Sequence, residues 1–282
     1  MSRQNKSDDA SFAGLSLART RIMGIINATP DSFSDGGEAF DPSDAIARGR
    51  AMLTEGADII DVGGESTRPG SAPVSLDEEL TRVLPVIETL AGEGARVSID
   101  TRHAGVMTAA VEAGAMIIND VTALTGDPDS LSAAAGCDVD VVLMHMLGEP
   151  GTMQDDPRYD DAAQEVLNYL GGRVAACEAA GMERGRIAVD PGIGFGKTLA
   201  HNLDILSRLD LYEDLGCPVM LGVSRKSFIA KITGEEDPKR RIPGSLASAL
   251  AGVALGVRLL RVHDVAETRQ ALDVWEAIAG GG

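Results

Sequence analysis

The chain has 282 residues, of which 44% are hydrophobic, and its formal net charge is −18 at pH 7. An acidic chain without a basic face does not fit nucleic-acid binding, which depends on displacing condensed counterions. No apolar run approaches the roughly 20 residues that cross a bilayer, and residues 2–21 lack the apolar core of a secretory signal. We therefore expect a cytoplasmic protein with neither nucleic acid nor membrane as a partner.

The chain is slightly longer than the roughly 250 residues of a single eight-fold α/β barrel, so one domain is sufficient. That domain is predicted to span residues 19–279, after a disordered tail at residues 1–18. Cys137, Cys177 and Cys217 are widely separated and lack the spacing of zinc ligands or of a redox motif. We expect all three to be buried thiols.

Eight short apolar runs each end at or near a polar or charged residue, and a stretch of helical character follows each run. The predicted strands are residues 22–27, 58–62, 96–100, 116–119, 139–145, 187–190, 219–222 and 258–263. Strands that are apolar throughout are buried on both faces, and their alternation with helices is typical of a parallel sheet. Eight such units predict an α/β fold, a single closed (β/α)8 TIM barrel. In that fold the C-terminal strand ends carry the chemistry, so the pattern predicts an enzyme.

Two loops rich in turn-forming residues follow the first two strands, at residues 28–37 and 63–70. The first loop is predicted to be a mobile lid, and the second is likewise interrupted by glycine and proline. A helix is predicted at residues 42–55, and a last helix at residues 265–278. Small residues dominate the predicted helix at 245–255, which favours close helix packing either within the barrel shell or across a dimer interface.

Asp100, Asn119 and Asp190 each end a predicted strand, so their side chains can converge on one cavity. A carboxylate accepts two parallel N–H bonds from an amidine-like edge, and an amide both donates and accepts. Two carboxylates and one amide therefore suit a flat heterocycle, although each residue taken singly could be a strand-end cap or the partner of a nearby arginine. Lys226 would add a point positive charge beside a ring carbonyl, and its alternative role is that of a solvated loop lysine.

Basic residues cluster at the same predicted rim. Arg68, Arg261 and His263 are candidates for holding a phosphate or pyrophosphate group, because guanidinium offers forked donors. Asn27 could supply an amide oxygen to Mg²⁺, which takes few protein ligands, although alone it fits a strand-end cap. We interpret His145 as a rim histidine with satisfied hydrogen bonds rather than as a catalytic group.

The segment at residues 190–198 contains a glycine-rich stretch that is similar to a phosphate-binding loop. The Walker pattern requires glycine five positions before Gly196, where this chain has Pro191. A nucleotide hydrolase is therefore not expected. The glycines are predicted to let this loop turn tightly over the cavity.

Five motifs, taken together and in this order, resemble the dihydropteroate synthases over residues 21–278. They are NATPDSFSDGG at 27–37, DVGGESTRPG at 61–70, DPGIGFGKT at 190–198, SRKS at 224–227 and RVHD at 261–264. The resemblance implies a folate-pathway transferase on a (β/α)8 barrel, which is a sulfonamide target and uses magnesium. The implied reaction joins 7,8-dihydropterin-6-ylmethyl diphosphate to 4-aminobenzoate and releases diphosphate. A homodimer is also implied.

The resemblance assigns residues to each part of the site by position. The implied pterin pocket is Asp100, Asn119, Asp190 and Lys226. The implied diphosphate site is Asn27, Arg68, Arg261 and His263, with Asn27 also binding magnesium. The implied 4-aminobenzoate site is Phe33, Thr67, Pro69 and Ser227. The residues expected to act in catalysis are Asp35, Arg68 and Lys226.

The family's mechanism is dissociative, so diphosphate would leave before the arylamine attacks a pterin methylene cation that the site stabilises. Asp35 is predicted to face that cation, and Asp35→Ala should then lower turnover far more than pterin affinity. The clearest departure from the family's pattern is Leu147, where relatives often carry arginine. No insertion interrupts the two aminobenzoate loops, so sulfonamide sensitivity is expected.

Two other functions remain open at this point. A methyltetrahydrofolate-binding methyltransferase would share the barrel and a pterin pocket but would not need Arg68, Arg261 and His263 for diphosphate. A catalytically silent pterin-binding paralogue would be expected to lack loop or anion-binding residues, and none is missing here. The basic cluster favours the synthase.

Overall fold

The computed structural model describes residues 10–29, 41–66, 74–149 and 151–279. A hairpin of two short strands precedes eight parallel strands. All ten strands are numbered in chain order, beginning with the hairpin. They are β1 (Ser11–Phe12), β2 (Leu15–Ser16), β3 (Arg21–Asn27), β4 (Ile59–Gly63), β5 (Val97–Asp100), β6 (Ile117–Asp120), β7 (Asp140–Met144), β8 (Ile187–Asp190), β9 (Met220–Leu221) and β10 (Leu259–Val262).

The eight parallel strands form a barrel. Their order in the sheet is β8-β7-β6-β5-β4-β3-β10-β9. The two edge strands meet where Val189 and Val219 form a parallel bridge, and the Val189 amide donates to the Pro218 carbonyl oxygen at 2.9 Å. The predicted single (β/α)8 barrel is therefore confirmed.

Nine α-helices lie in the described residues. They are α1 (Pro42–Thr54), α2 (Leu76–Gly92), α3 (Ala104–Glu112), α4 (Ser130–Gly136), α5 (Ala162–Ala179), α6 (Leu199–Ser207), α7 (Ser227–Thr233), α8 (Ile242–Ala254) and α9 (Val265–Ala279). Their apolar faces pack on the outward side chains of the strands in one continuous core. Within the described ranges, no helix combines the length and apolar character needed to cross a membrane.

The small residues of α8 face the barrel. A Cβ built on Gly252 would lie 2.5 Å from Leu221 Cδ2, and Ala249 is 3% exposed. This helix therefore uses its small face to approach β9 closely, which is the first of the two roles that the sequence left open.

The hairpin closes the N-terminal end of the barrel. Phe12 and Leu17 are each 1% exposed and pack against inward side chains such as Met23 and Leu259. Residues 10–18 therefore belong to the folded domain, which corrects the prediction that the tail extends to residue 18. The reason is that an eight-stranded barrel leaves apolar side chains at its base, and Phe12 and Leu17 bury them.

Most predicted element boundaries agree with the structure within a few residues. The strand predicted at 187–190 is observed as Ile187–Asp190, whereas the strand predicted at 219–222 shortens to Met220–Leu221. Cys177 and Cys217 are buried, but Cys137 is half-buried, so the expectation of three buried thiols is wrong for Cys137. Cys137 directly follows α4, where the chain runs near the surface on its way to β7.

Candidate active site

The side chains that point into the barrel change from apolar to polar between one inward position of a strand and the next, two residues later. The residues that contact the hairpin plug include Ile59, Ile117, Ala188 and Leu259. Because inward positions recur every second residue of a strand, the next inward residues are Asp61, Asn119, Asp190 and Arg261. The chain thus builds a layer of charged and amide side chains directly above the apolar plug.

Arg261 is the centre of this polar layer. Its Nε donates to Asp61 Oδ2 at 2.6 Å, and its Nη2 donates to Asp100 Oδ2 at 2.6 Å. Asn119 Nδ2 donates to the same Asp61 oxygen at 3.1 Å. Strand register brings these side chains together, since Asp100 pairs with Asn119 on the neighbouring strand. Arg261 is therefore held by two carboxylates from two other strands.

Asp61, near which the second apolar run ends, was assigned no specific role from the sequence. Its side chain is fully buried, and its Oδ1 has no hydrogen-bond partner in the described part of the chain. A signal was available, because Asp61 lies two positions after Ile59 just as Asn119 lies two positions after Ile117. Asn119 was predicted only as a strand end, and the inward register that it shares with Asp61 would have indicated both residues.

Asp190 and Lys226 face a gap above Gly222. Asp190 Oδ1 accepts from the Gly192 amide at 2.7 Å. A Cβ built on Gly222 would lie 3.7 Å from both Asp190 Oδ2 and Lys226 Nζ. Lys226 Nζ also donates to the Ile193 carbonyl oxygen at 2.5 Å. Glycine at position 222 therefore leaves open the space that an acceptor and a donor both line.

Phe195 forms one wall beside Lys226. The Lys226 ammonium lies 4.8 Å from the centroid of the Phe195 ring, a distance at which the cation and the ring attract each other. Phe195 was not among the predicted site residues. The sequence did not indicate Phe195, because a single aromatic residue in a glycine-rich loop shows no hydrophobic periodicity.

Burial changes the proton affinity of the groups on this floor. Burial raises the pKa of Asp100 to about 7, against the opposing charge of Arg261. Burial also raises the pKa of Asp190, with Lys226 opposing the shift. The pKa of Lys226 falls to about 8 because burial outweighs the attraction of Asp190. Two of these groups therefore titrate near neutral pH, as groups in binding and catalytic sites often do.

The rim above the floor carries Asn27, His263 and Ser227. Asn27 ends β3 and pairs with Gly63 of β4, which in turn pairs with Asp100 of β5. His263 follows β10, and its Nδ1 lies 3.1 Å from Ser224 Oγ. Ser227 is the exposed first residue of α7, adjacent to Lys226 in sequence.

An ion pair connects the two loops that carry Lys226 and His263. Arg225 Nε donates to Asp264 Oδ2 at 3.0 Å. Arg225 itself has φ +60, in the left-handed region, and its amide donates to Ser245 Oγ at 2.9 Å. These contacts fix the backbone on both sides of the mouth.

His145 agrees with its interpretation as a satisfied rim histidine. It is 5% exposed, and its Nδ1 lies 2.9 Å from Lys197 Nζ. Burial and the neighbouring lysine lower the pKa of His145 to about 3, so the ring is neutral at physiological pH. Its ring also packs edge-on against Tyr169, with centroids 4.9 Å apart.

Five predicted site residues lie outside the described residues. They are Phe33, Asp35, Thr67, Arg68 and Pro69. The described residues bring Asp100, Asn119, Asp190, Lys226 and Arg261 together on the floor and place Asn27, His263 and Ser227 on the rim. Among them, no group of three or more His, Cys, Asp or Glu side chains could hold a metal ion. Any Mg²⁺ at Asn27 would therefore be completed by water or ligand oxygens, as this ion prefers.

The chain is similar over nearly its whole length to known proteins. The family model described as "Pterin binding enzyme" matches residues 23–263. The dihydropteroate synthase of Neisseria meningitidis serogroup C is 48% identical over 267 residues, covering 94% of each chain. The dihydropteroate synthase of Escherichia coli K12 is 45% identical over 269 residues, covering 95% of each chain.

Solved structures give the same relationship. A Xanthomonas albilineans dihydropteroate synthase with 4-aminobenzoic acid superposes with a TM-score of 0.89 at 49% identity, covering 95% of this chain and 96% of that chain. A Yersinia pestis dihydropteroate synthase in a sulfonamide drug complex superposes with a TM-score of 0.90 at 43% identity, covering 94% and 96%.

Proposed function

The chain belongs to the pterin-binding enzyme family and, within it, to the dihydropteroate synthases, and from this we propose how its own residues carry the reaction. The reaction is a transfer that condenses 7,8-dihydropterin-6-ylmethyl diphosphate with 4-aminobenzoate, giving 7,8-dihydropteroate and diphosphate in folate biosynthesis. The observation that carries the assignment is the buried polar layer, in which Arg261 joins Asp61 to Asp100 beneath an open space lined by Asp190 and Lys226.

The pterin ring binds on this polar floor. Asp190 keeps Oδ2 toward the gap above Gly222, so it can accept N–H bonds from the amidine-like edge of the ring. Asn119 donates to Asp61 through Nδ2 and keeps Oδ1 as an acceptor. Lys226 Nζ lies at the same gap and donates to a ring carbonyl or nitrogen. Arg261, which the sequence assigned to the diphosphate site, is held at this floor by Asp61 and Asp100 and presents the remainder of its guanidinium to the pterin diphosphate.

The diphosphate lies toward the rim, where Asn27 and His263 stand on the neighbouring strands β3 and β10. Arg68, which is outside the described residues, belongs to this part of the site in the proposal. Asn27 would hold a bound Mg²⁺ through its amide oxygen, and the ion would supply positive charge for the diphosphate. The donor set fits this ion, because a single neutral oxygen from the protein leaves positions for water and phosphate oxygens.

The order of bond changes is dissociative. The bond between the pterin methylene carbon and the diphosphate oxygen breaks first, and its electron pair leaves with the diphosphate. The remaining cation lies above Asp61, Asp100 and Asp190. Their negative charge stabilises it strongly because the site excludes water and has a low dielectric constant. The lone pair of the arylamine then forms the new C–N bond, and the nitrogen loses a proton to solvent. The two loops at 28–37 and 63–70 would exclude water at this stage, and Asp35 would face the cation.

4-Aminobenzoate binds between the rim loops. Its site includes Ser227, exposed at the start of α7 beside Lys226, together with Phe33, Thr67 and Pro69 outside the described residues. We expect sulfonamides to compete for the same place, and the Yersinia pestis relative was solved in a sulfonamide drug complex. A sulfonamide inhibition constant similar to the KM for 4-aminobenzoate is expected. An inhibition constant far above that KM would contradict this part of the proposal.

One assay tests the proposed function. Purified protein is mixed with the pterin diphosphate and Mg²⁺, and released diphosphate is measured with and without 4-aminobenzoate. Diphosphate release that requires the arylamine, with formation of dihydropteroate, is the expected result. A pterin-binding methyltransferase or a silent paralogue would release no diphosphate, and release that is independent of the arylamine would indicate simple hydrolysis.

We propose further that the enzyme acts in the cytoplasm as a homodimer. Three free cysteines fit a reducing compartment. Ile232 and Leu203 are 56% and 43% exposed and lie with Phe228 beside a groove at α6, α7 and α8. An exposed apolar patch of this kind is typical of an interface. Ile232→Glu should convert a dimer into a monomer by light scattering, and a wild-type monomer would contradict the proposal.

A further inference from the structure

Lys197 is a buried lysine without a carboxylate partner in the described part of the chain. Its side chain is 1% exposed, whereas lysine is almost never fully buried unless paired. Its Nζ lies 2.9 Å from His145 Nδ1 and donates to the carbonyl oxygens of Gly192 at 2.9 Å and Phe195 at 3.0 Å. The His145 carbonyl oxygen is a fourth neighbour at 3.3 Å. Lys197 therefore joins the end of β7 to the loop that follows β8.

This loop lies directly on the segment after β7. Gly192 has φ +68, and a Cβ built on it would lie 1.9 Å from the His145 carbonyl oxygen. A Cβ on Gly196 would lie 2.5 Å from the Leu147 carbonyl oxygen. Two glycines thus permit a backbone contact that no other residue would allow, and Lys197 ties the same two segments together from inside.

The loop held by Lys197 contacts Lys226 at two points. Lys226 Nζ donates to the Ile193 carbonyl oxygen at 2.5 Å and lies 4.8 Å from the Phe195 ring centroid. Ile193 follows Gly192 in sequence, and Phe195 is itself a Lys197 partner. The two residues that contact Lys226 therefore belong to the segment 192–195, and Lys197 binds the carbonyl oxygen at each end of that segment.

We propose that Lys197 is a positioning residue for the transferase reaction, holding the loop at 191–196 so that Ile193 and Phe195 keep Lys226 at the pterin-binding floor. The inference rests on the proposed function, since it assigns Lys226 to the pterin. Lys197 is too deeply buried to touch a substrate and acts through the loop. Without its hydrogen bonds, three backbone carbonyl groups lose their donor and the loop moves away from Lys226.

The test compares Lys197→Met with Lys231→Met, a control on an exposed lysine of α7. Methionine keeps an unbranched side chain but removes the donors. For Lys197→Met, the KM for the pterin diphosphate should rise about tenfold or more, and the KM for 4-aminobenzoate should stay within about twofold of wild type. The control should change neither constant. A purely structural lysine would lower the active fraction or the Tm with both KM values unchanged, and that result would overturn the proposal.

A pH profile gives a second measurement. Asp190 of β8 and Arg261 of β10 face Lys226, and Lys197, whose own pKa burial lowers well below its ordinary value, lies in the adjoining loop. Burial keeps the pKa of Lys226 at about 8 in the intact enzyme. Once the loop releases Lys226 toward water, its pKa should rise toward the ordinary value. The alkaline limit of kcat/KM for the pterin substrate should therefore move to higher pH in Lys197→Met and stay in place in Lys231→Met.

A second substitution covers the case in which Lys197→Met does not fold. Lys197→Gln keeps an amide donor and should give the same KM pattern with a smaller change. If neither variant folds, Lys197 serves folding and the positioning proposal is overturned. A wild-type enzyme without arylamine-dependent diphosphate release would refute the proposed function instead. An active wild type with unchanged pterin KM in both variants would refute only the role of Lys197.

Discussion

Arg261 and Asp61 lie 200 positions apart in the chain and are joined by a hydrogen bond of 2.6 Å from Nε to Oδ2. Asp100 accepts from the same guanidinium at 2.6 Å, so one permanent cation stands between two buried carboxylates. Breaking a buried pair by removing one partner leaves an uncompensated charge, which costs about 3–5 kcal/mol. The polar layer is therefore part of the barrel interior, and in the proposed function it is also the surface that binds the pterin.

Asp61→Asn should weaken the reaction because Arg261 loses a charged acceptor and can turn away from the pterin floor. We expect kcat/KM for the pterin substrate to fall about 100-fold, together with a lower Tm. Steady-state kinetics and thermal unfolding measure the two effects.

The matched control is Asp58→Asn. Asp58 accepts from Arg19, Arg21 and the Ile22 amide, and it precedes β4 at the opposite end of the barrel from Asp61. This variant should lower the Tm but leave both KM values unchanged. Equal kinetic effects of the two substitutions would show that Asp61 acts only through stability.

The sequence was sufficient for the fold and for most of the floor, because both depend on short-range patterns. Apolar runs locate the strands, and a polar residue at the end of a run locates Asp100, Asn119 and Asp190. Asp61 also lies near a run end, but it received no specific role because a charged side chain is rarely buried without a partner. The protein tolerates this buried carboxylate because it pairs with Arg261, which lies on another strand and cannot be identified from the local sequence.

Contacts between loops could not be predicted from the sequence either, because they also depend on partners far away in the chain or on the backbone. Lys197 was noticed only as part of a glycine-rich stretch that fails the nucleotide-binding pattern. Its role depends on His145 and on carbonyl groups of its own loop, and backbone acceptors leave no signature in residue identity. The hairpin plug was likewise unexpected, since Phe12 and Leu17 are too few to form a periodic pattern.

The acid limb of the pH profile should report Asp100. Burial raises the pKa of Asp100 to about 7, and the ionised carboxylate is the form that accepts N–H bonds. The free-enzyme profile of kcat/KM for the pterin substrate should therefore fall as pH drops below about 7. Asp100→Asn should have a lower plateau and no limb near this pH. A wild-type profile that stays flat down to pH 5 would contradict the assignment.

The same shift predicts a change in stability with a definite sign. The pKa of Asp100 is higher in the folded chain than its ordinary value of 3.8, so the folded state binds this proton more tightly. Its contribution to stability is complete below about pH 4 and is lost as pH rises through about 7. The Tm of Asp100→Asn relative to wild type should therefore be more favourable at pH 8 than at pH 5. The opposite order would show that Arg261 dominates over burial.

The alkaline limb should report Lys226. Burial lowers the pKa of Lys226 to about 8, so the ammonium loses its proton above that pH and no longer attracts the ring carbonyl. Lys226→Arg keeps the charge at all these pH values and should lack the limb, with turnover lower by about tenfold because a planar guanidinium does not replace a point charge. Rates measured from pH 6 to 10 test this. Retention of the limb in Lys226→Arg would assign it to another group.

Asn27 is predicted to set the requirement for Mg²⁺. A chelator should abolish diphosphate release, and added Mg²⁺ should restore it. Asn27→Ala should raise the Mg²⁺ concentration for half-maximal activity about tenfold, since outer and inner ligands of metal sites typically contribute 10- to 100-fold. Asn168→Ala, on the exposed face of α5, is the control and should behave as wild type. Full activity of the wild type in the presence of a chelator would show that the reaction does not require Mg²⁺.

The most direct test of the central claim is a crystal structure of the protein with a 7,8-dihydropterin bound. The account predicts a ring above Gly222, with Asp190 and Asn119 accepting from its N–H groups and Lys226 Nζ donating to it. The methylene substituent should point toward Asn27 and His263. A ring bound elsewhere, or in this barrel without hydrogen bonds to Asp190 and Asn119, would contradict the assignment of the polar floor to the pterin.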